Sequence, residues 1–186
     1  GNIFPKVTGG FSSTLSWKGI SLYARFDYAL GHTLYNDLAA RTLGQYQGAF
    51  NIITEVKDMW SEDNPNSDLP AFYYADQLAK KNITRSNNAS ASRHNNSSRL
   101  YEKADYLALR ELTLSWDLPK AWTSKAFIQN ASVYVTGQNL FYVTGYTGTS
   151  PEPVLTNSDN NENLYGVDQG RYPTPRTVLF GLSVTF

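Results

Sequence analysis

Side chains able to do chemistry are few in this chain and are scattered along it. None of its 186 residues is a cysteine, which excludes disulfides, thiolate metal sites and cysteine nucleophiles. The two histidines, His32 and His94, are far apart, and neither has carboxylates at a spacing typical of a metal site. Motifs for a serine hydrolase, a phosphate-binding loop or a dinucleotide site are absent from the sequence. We therefore predict no enzymatic activity, no catalytic residue, no metal site built on these histidines and no cofactor, and we predict that His32 lies on a loop rim.

One segment, SDNNENLYGVDQG, carries the oxygen atoms that a calcium ion could use. The candidate ligands are Asp159, Asn161, Asn163 and Asp168. The segment lacks the glycine at the sixth position and the glutamate at the twelfth position that a calcium-binding loop requires. A solvated loop is therefore the alternative to calcium binding here.

A group of aromatic residues in the middle of the chain could stack on sugar rings. Its members are Trp60, Phe72, Tyr73 and Tyr74, and the two prolines of PNSDLP predict a rigid turn that would present them. Ordinary packing within a loop explains the same residues. The following segment, 80–98, is polar and low in complexity, so we expect it to be the most mobile part of the chain.

Five β-strands have to position these residues. Apolar and polar side chains alternate over about 10–17, 20–31, 105–118, 130–145 and 176–186. In the third strand Leu107 and Leu109 are out of phase with Leu112 and Leu114. A β-bulge near Arg110 would return all four leucines to one face.

The lengths of the connections alternate along the chain. Residues 18–19 and about 119–130 form short connections, whereas about 32–104 and about 146–175 form long ones. Long and short connections then lie at opposite ends of an up-and-down sheet, as they do in outer-membrane barrels. A soluble sandwich has no reason to sort its loops by length. The sequence therefore favours a membrane barrel, and a soluble carbohydrate-binding β-sandwich module is the alternative.

Each face of such a sheet has a predicted environment. The apolar face would contact lipid, with Trp17, Trp116 and Phe186 at the end of the short connections. The polar face would line the lumen, where we expect Tyr23, Arg25, Asp27, Glu111, Tyr134 and Gln138. Sixteen basic and sixteen acidic residues balance, and no basic run is present, so we expect no nucleic-acid partner.

Several motifs, in order, resemble the C-terminal part of SusC/RagA-type TonB-dependent transporters of Bacteroidota. These are DYLALRELTLSWDLP, VYVTGQNLFYVTGYTGTSPEP and YPTPRTVLFGLSVTF, with FPKVTGGFSSTLSWKGISLYARFDYALGHTLYN upstream. Ser150 stands where many members have aspartate, and Trp116 stands where tyrosine is common. The first difference puts in doubt any role of an acidic residue in that loop.

The resemblance implies an all-β fold in which this chain supplies the final five antiparallel strands of a transmembrane barrel of about 22 strands. The rest of the barrel, an N-terminal plug and the segment that engages TonB would lie outside this chain. The resemblance also implies a SusD-like surface lipoprotein as a lid, a bacterial outer-membrane location, and a nutrient oligomer as cargo, with a glycan expected first and a peptide as the alternative. Phe186 resembles the terminal aromatic residue that the outer-membrane assembly machinery reads.

Overall fold

The computed structural model describes residues 1–40, 42, 53–69, 98–153 and 165–186. Two helices of four residues are described, α1 (Asp37–Ala40) and α2 (Lys120–Thr123). Short 3-10 turns cover Thr54–Asp58, Ser98–Leu100 and Ser124–Ala126. The strands are β1 (Val7–Trp17), β2 (Ile20–Leu30), β3 (Thr33–Asn36), β4 (Tyr101–Lys103), β5 (Tyr106–Asp117), β6 (Asn130–Thr144), β7 (Val167–Asp168) and β8 (Thr177–Thr185).

The chain forms two compact units. The first, the loop unit, comprises Gly1–Phe4, Thr33–Lys103 and Tyr146–Tyr172. The second, the sheet unit, comprises Pro5–His32, Ala104–Gly145 and Pro173–Phe186. Its five strands have the order β1-β2-β5-β6-β8, and every neighbouring pair is antiparallel. The predicted all-β fold with five antiparallel strands is confirmed.

Short connections of different kinds join neighbouring strands of the sheet unit. Lys18 and Gly19 both have positive φ, 48° and 85°, as a tight hairpin turn between right-twisted strands requires. The connection from β5 to β6 begins after Pro119 with α2 and continues into a 3-10 turn. The sequence analysis missed α2 because a helix of four residues is too short to show a helical period.

The predicted β-bulge is present in β5. Arg25 of β2 pairs with Glu111, and the next residue, Phe26, pairs with Leu109, so Arg110 is the extra residue. The pairing of β5 with β6 is irregular at the same level, and Asn139 there adopts a left-handed conformation with a φ of 52°. Asparagine tolerates that conformation better than most residues do. The bulge returns Leu107 and Leu109 to the apolar face.

The two faces of the sheet differ in polarity, and the apolar face is exposed. Trp17 is 70% exposed, Leu182 is 65% exposed and Phe180 is 82% exposed. A small buried cluster of Ala29, Tyr106 and Ala108 lies in the sheet unit instead. Most of the large apolar side chains of this face are therefore exposed within the described residues.

The loop unit contains a second sheet that the sequence analysis did not predict. Its order is β4-β3-β7, with β3 antiparallel to β4 and parallel to β7. β3 has four residues, β4 has three and β7 has two, which is too short for alternation to be recognised. Within the described part of the chain, no helix has the length and apolarity needed to cross a membrane.

Candidate functional site: the polar face of the five-stranded sheet

Strand register brings the six predicted polar residues onto one face of the sheet. Arg25 pairs with Glu111, and Glu111 pairs with Gln138, so these three form one row across β2, β5 and β6. The other predicted residues share the phase of this row in their strands: Tyr23, Asp27 and Tyr134. Whether this face lines a lumen remains a prediction.

The charged row contains an ion pair. A guanidinium nitrogen of Arg25 lies 3.6 Å from a carboxylate oxygen of Glu111. The Arg25 side chain is 55% exposed, so water screens this attraction and the pair contributes little to stability. In the next row towards the short connections, Thr113 and Thr136 share a hydrogen bond of 2.8 Å between their hydroxyls.

The bulge residue Arg110 is the centre of a second, more protected cluster. It forms a bidentate ion pair with Asp27, through Nε and Nη2. Its Nη1 donates a hydrogen bond of 2.8 Å to the hydroxyl of Tyr142, and the guanidinium lies 5.3 Å from the centre of that ring. The Arg110 side chain is only 19% exposed. The bulge therefore turns an arginine towards the polar face, where it neutralises Asp27.

Arg110 and Tyr142 were not among the predicted site residues. One signal in the sequence could have identified Arg110, because it interrupts an otherwise apolar stretch at the point where the alternation changes phase. Nothing in the sequence pairs it with Asp27, because these two residues are 83 positions apart.

An aromatic ring covers a glycine near the edge of the polar face. Tyr134 of β6 pairs with Gly181 of β8, and a Cβ atom built on Gly181 would lie 2.0 Å from Cζ of Tyr134. The ring therefore lies across the glycine backbone, where only a residue without a side chain leaves room. This contact places the predicted residue Tyr134 flat against the sheet.

The loop unit contains a buried carboxylate that holds its segments together. Asp168 is 2% exposed and accepts hydrogen bonds from the Tyr146 hydroxyl at 2.9 Å and from the Gly170 backbone at 3.0 Å. Both the backbone and the hydroxyl of Thr149 also donate to it. Burial, followed by the hydrogen bond to Asp168 and the charges of Asp168 and Glu102, raises the pKa of the Tyr146 phenol above its usual value.

The calcium site stays a prediction. Three of its four candidate ligands, Asp159, Asn161 and Asn163, lie outside the described residues. The fourth, Asp168, already accepts the hydrogen bonds given above. Within the ranges that the structure describes, no group of three or more histidine, aspartate or glutamate side chains could hold a metal ion.

Only one residue of the predicted aromatic group can be placed. Trp60 is 43% exposed, and its backbone N–H donates to the carbonyl of Leu69. The remaining members, Phe72, Tyr73 and Tyr74, lie outside the described residues, as do His94 and nearly all of the segment 80–98. Sugar stacking and loop packing therefore both remain open for this group.

His32 lies in the connection between β2 and β3, at the end of the strand as predicted, but its burial was not predicted. It is 1% exposed and packs edge-on against Tyr106 with 6.2 Å between the ring centres. The chain turns at Gly31, whose φ is 82°, and the carbonyl of His32 accepts a hydrogen bond from Ala104. This tertiary pairing buries the imidazole, and the local sequence does not reveal it.

Three curated bacterial proteins resemble the chain along its whole length. TonB-dependent receptor P3 of Formosa agariphila is 31% identical, receptor P26 of the same organism is 29% identical, and receptor P39 is 26% identical. Each alignment covers 100% of this chain and 17% of the relative, so the chain spans about a sixth of the length of the relatives it matches. No protein-family model matches the chain.

Solved structures that resemble the chain include those of a peptide transport system. The structure of the RagAB peptide transporter superposes with a TM-score of 0.71 at 28% identity. A second structure, of the RagAB peptide importer in its closed-closed state, gives a TM-score of 0.69 at the same identity. Both matches cover 99% of this chain and 18% of the matched chain. The matched region has the five-stranded sheet that was predicted here.

Proposed function

We propose that this chain, which resembles a segment of TonB-dependent receptors, forms part of an outer-membrane barrel of the SusC/RagA type that imports a nutrient. The proposal assigns the sheet unit to the barrel wall and the loop unit to the connections outside the membrane. It assigns no covalent chemistry to the chain. The full-length relatives are about six times longer than this chain, and they supply the length that a closed barrel of about 22 strands requires.

The observation that carries the proposal is the polarity of the two faces of the sheet. One face exposes Phe11, Leu15, Phe180 and Leu182. The other face carries hydroxyls and two arginine–carboxylate pairs. A lipid-facing apolar surface and a polar interior are what a transmembrane barrel needs, and closure of the barrel would supply partners for the outer edges of β1 and β8.

The polar face suits an uncharged or zwitterionic cargo. Its two arginines, Arg25 and Arg110, are matched by Glu111 and Asp27, so the four charges cancel in pairs. Nearby hydroxyls and amides can exchange hydrogen bonds with water or with cargo. Glycans and peptides both have this chemistry, so both remain proposed cargoes. The similarity to the RagAB peptide transporter supports the second.

The proposed partners follow from the relatives. The similarity to TonB-dependent receptors supports the proposal that TonB supplies the energy for transport. The similarity to RagAB supports the proposal that a second protein, here a SusD-like lipoprotein, acts as a surface lid.

Trp60 and its neighbouring aromatic residues are proposed to contact cargo in the loop unit. Phe186, which is 81% exposed, is proposed as an assembly signal, and calcium binding near Asp168 stays a further proposal.

A transport assay in cells can test this function. The gene of the full-length receptor that carries this chain would be deleted and then restored, and uptake of labelled oligosaccharides and labelled oligopeptides would be followed. We expect uptake of one class to require both the receptor and TonB. Purification gives a second readout, because a barrel requires detergent whereas the alternative, a soluble β-sandwich module, does not. A receptor that is fully soluble without detergent would contradict the proposal.

A further inference from the structure

Phe127 has an unusual backbone conformation for its residue type. It closes the turn that follows α2, and its φ of 59° lies in the left-handed region. Its N–H donates to the carbonyl of Ser124, and the N–H of Ile128 donates to the carbonyl of Thr123. These are the two hydrogen bonds of a Schellman cap, in which glycine is the favoured residue at the position that Phe127 holds. Phenylalanine there costs backbone free energy that glycine would not.

Among the residues that the structure describes, the side chain of Phe127 does not recover that cost. It is 91% exposed, more than any residue of the apolar face of the sheet. An exposed aromatic ring held in a disfavoured conformation is a reason to look for a function of that side chain outside the local packing.

The same connection continues the apolar face of the sheet. Trp122 of α2 is 60% exposed and packs edge-to-face against Trp116, with 5.9 Å between the ring centres. Trp116 pairs with Ile20 of β2, and Ile20 pairs with Trp17 of β1. A line of apolar side chains, three of them tryptophans, therefore runs from β1 to the connection at one end of the sheet.

The charged residues near this line of side chains bear on the kind of partner that it contacts. The connection, residues 118–129, has two exposed cations, Lys120 and Lys125, and no acidic residue. At the neighbouring turn, the ammonium of Lys18 lies 4.7 Å from the centre of the Trp17 ring. Tryptophan beside lysine is typical of the boundary between acyl chains and lipid headgroups, where the rings are half in hydrocarbon and the ammonium groups meet phosphates.

We infer that residues 118–129 anchor the barrel in the phospholipid interface at the end of the short connections, with Trp122 and Phe127 inserted among the lipids and Lys125 at the phosphates. This inference rests on the proposed function, since it requires the apolar face to be in a membrane. It goes further by assigning a lipid contact to a connection that lies beyond the ends of the membrane strands.

Nitroxide labels can measure the depth of this connection. Single-cysteine variants Phe127→Cys, Leu182→Cys and Ser183→Cys of the full-length receptor, made in a background without other cysteines, would be labelled and reconstituted in phosphatidylethanolamine and phosphatidylglycerol vesicles. Collision with oxygen, which concentrates in lipid, is compared with collision with a water-soluble nickel chelate. We expect the label at 182 to prefer oxygen, the label at 183 to prefer nickel, and the label at 127 to resemble that at 182.

Each result has a distinct meaning. A label at 127 that resembles 183, while 182 still prefers oxygen, would overturn the anchor and leave the barrel intact. It would point instead to a protein partner for Phe127. Equal nickel access at 182 and 183 would contradict both the anchor and the proposed function.

A second variant separates anchoring from folding. Phe127→Gly suits the left-handed cap, so the receptor should fold at least as well as the parent. With a label at Lys125→Cys, we expect Phe127→Gly to shift the label towards water. An unchanged depth at 125 in the Phe127→Gly variant would contradict the role assigned to Phe127, and an unchanged depth after Trp122→Ala is added as well would contradict the anchor.

Discussion

At the scale of single residues, the two ion pairs of the polar face should differ in their effect on stability. Arg110 is largely shielded and makes two hydrogen bonds to Asp27, whereas Arg25 is 55% exposed and lies 3.6 Å from Glu111. We expect Arg110→Gln to lower the free energy of unfolding by about 1.5–3 kcal/mol and Arg25→Gln by less than about 1 kcal/mol. Denaturant unfolding of the reconstituted receptor measures both values. Equal losses would show that the bulge cluster has no special protection.

Tyr146 gives a prediction about alkaline pH. Its folded pKa is raised above the value of about 10 that an unfolded tyrosine has. The stability that its protonated hydroxyl contributes is therefore fully present below pH 10 and is lost as the pH rises above 10, because the unfolded chain then releases the proton first. Tyr146→Phe cannot ionise, so the difference in stability between parent and variant should shrink at alkaline pH. A constant difference from neutral to alkaline pH would contradict this.

Residue types alone predicted only part of the site. The polar residues of β2, β5 and β6 followed from alternation, since each phase of a strand points to one face. The positions of Arg110 beside Asp27 and of His32 beside Tyr106 depend on contacts between distant segments. For the same reason, the hydrogen bonds around Asp168 could not be read from its sequence neighbours.

At the scale of elements, the strand patterns were informative where strands are long. The bulge in β5 could be predicted because the alternation changes phase at Arg110 while the apolar side chains must stay on one face of the sheet. One extra residue at that point meets both conditions. By contrast, β3, β4 and β7 contain two to four residues each, and β3 pairs with segments more than 60 residues away. Their pairing, rather than their composition, defines them.

The contact between β6 and β8 can be tested at Gly181. A methyl group there would meet the Tyr134 ring, so we expect Gly181→Ala to cost about 1–3 kcal/mol of stability. Gly145→Ala is the matched control, because no atom lies within 4 Å of a Cβ built at that position. Thermal unfolding of the two variants gives the comparison. Adding Tyr134→Ala to Gly181→Ala should recover part of the loss, and additive losses would show that the ring does not cover the glycine.

At the scale of the whole molecule, the sheet unit is the part that the sequence predicted and the loop unit is the part that it did not. Five strands of nine to fifteen residues repeat one pattern, and each strand repeats the evidence for the same two faces. The loop unit joins three separate pieces of the chain, and its order depends on single contacts such as that between Tyr146 and Asp168. Such contacts carry no periodic signal.

The assignment of the two faces to lipid and lumen gives the sharpest test of the molecule. Leu182 and Ser183 are adjacent in β8, they pair with Val133 and Ser132 of β6, and alternation directs them to opposite faces. If the apolar face contacts lipid, Leu182→Arg places a charge in hydrocarbon and should cost about 2–4 kcal/mol near the middle of the bilayer. Ser183→Arg places the same charge on the polar face and should cost much less. Folding of the full-length receptor into phospholipid vesicles, followed under denaturant, measures both. Both variants change the same strand by one arginine, so the difference between them reports the environment of each face. Similar losses at 182 and 183 would mean that the apolar face does not contact lipid.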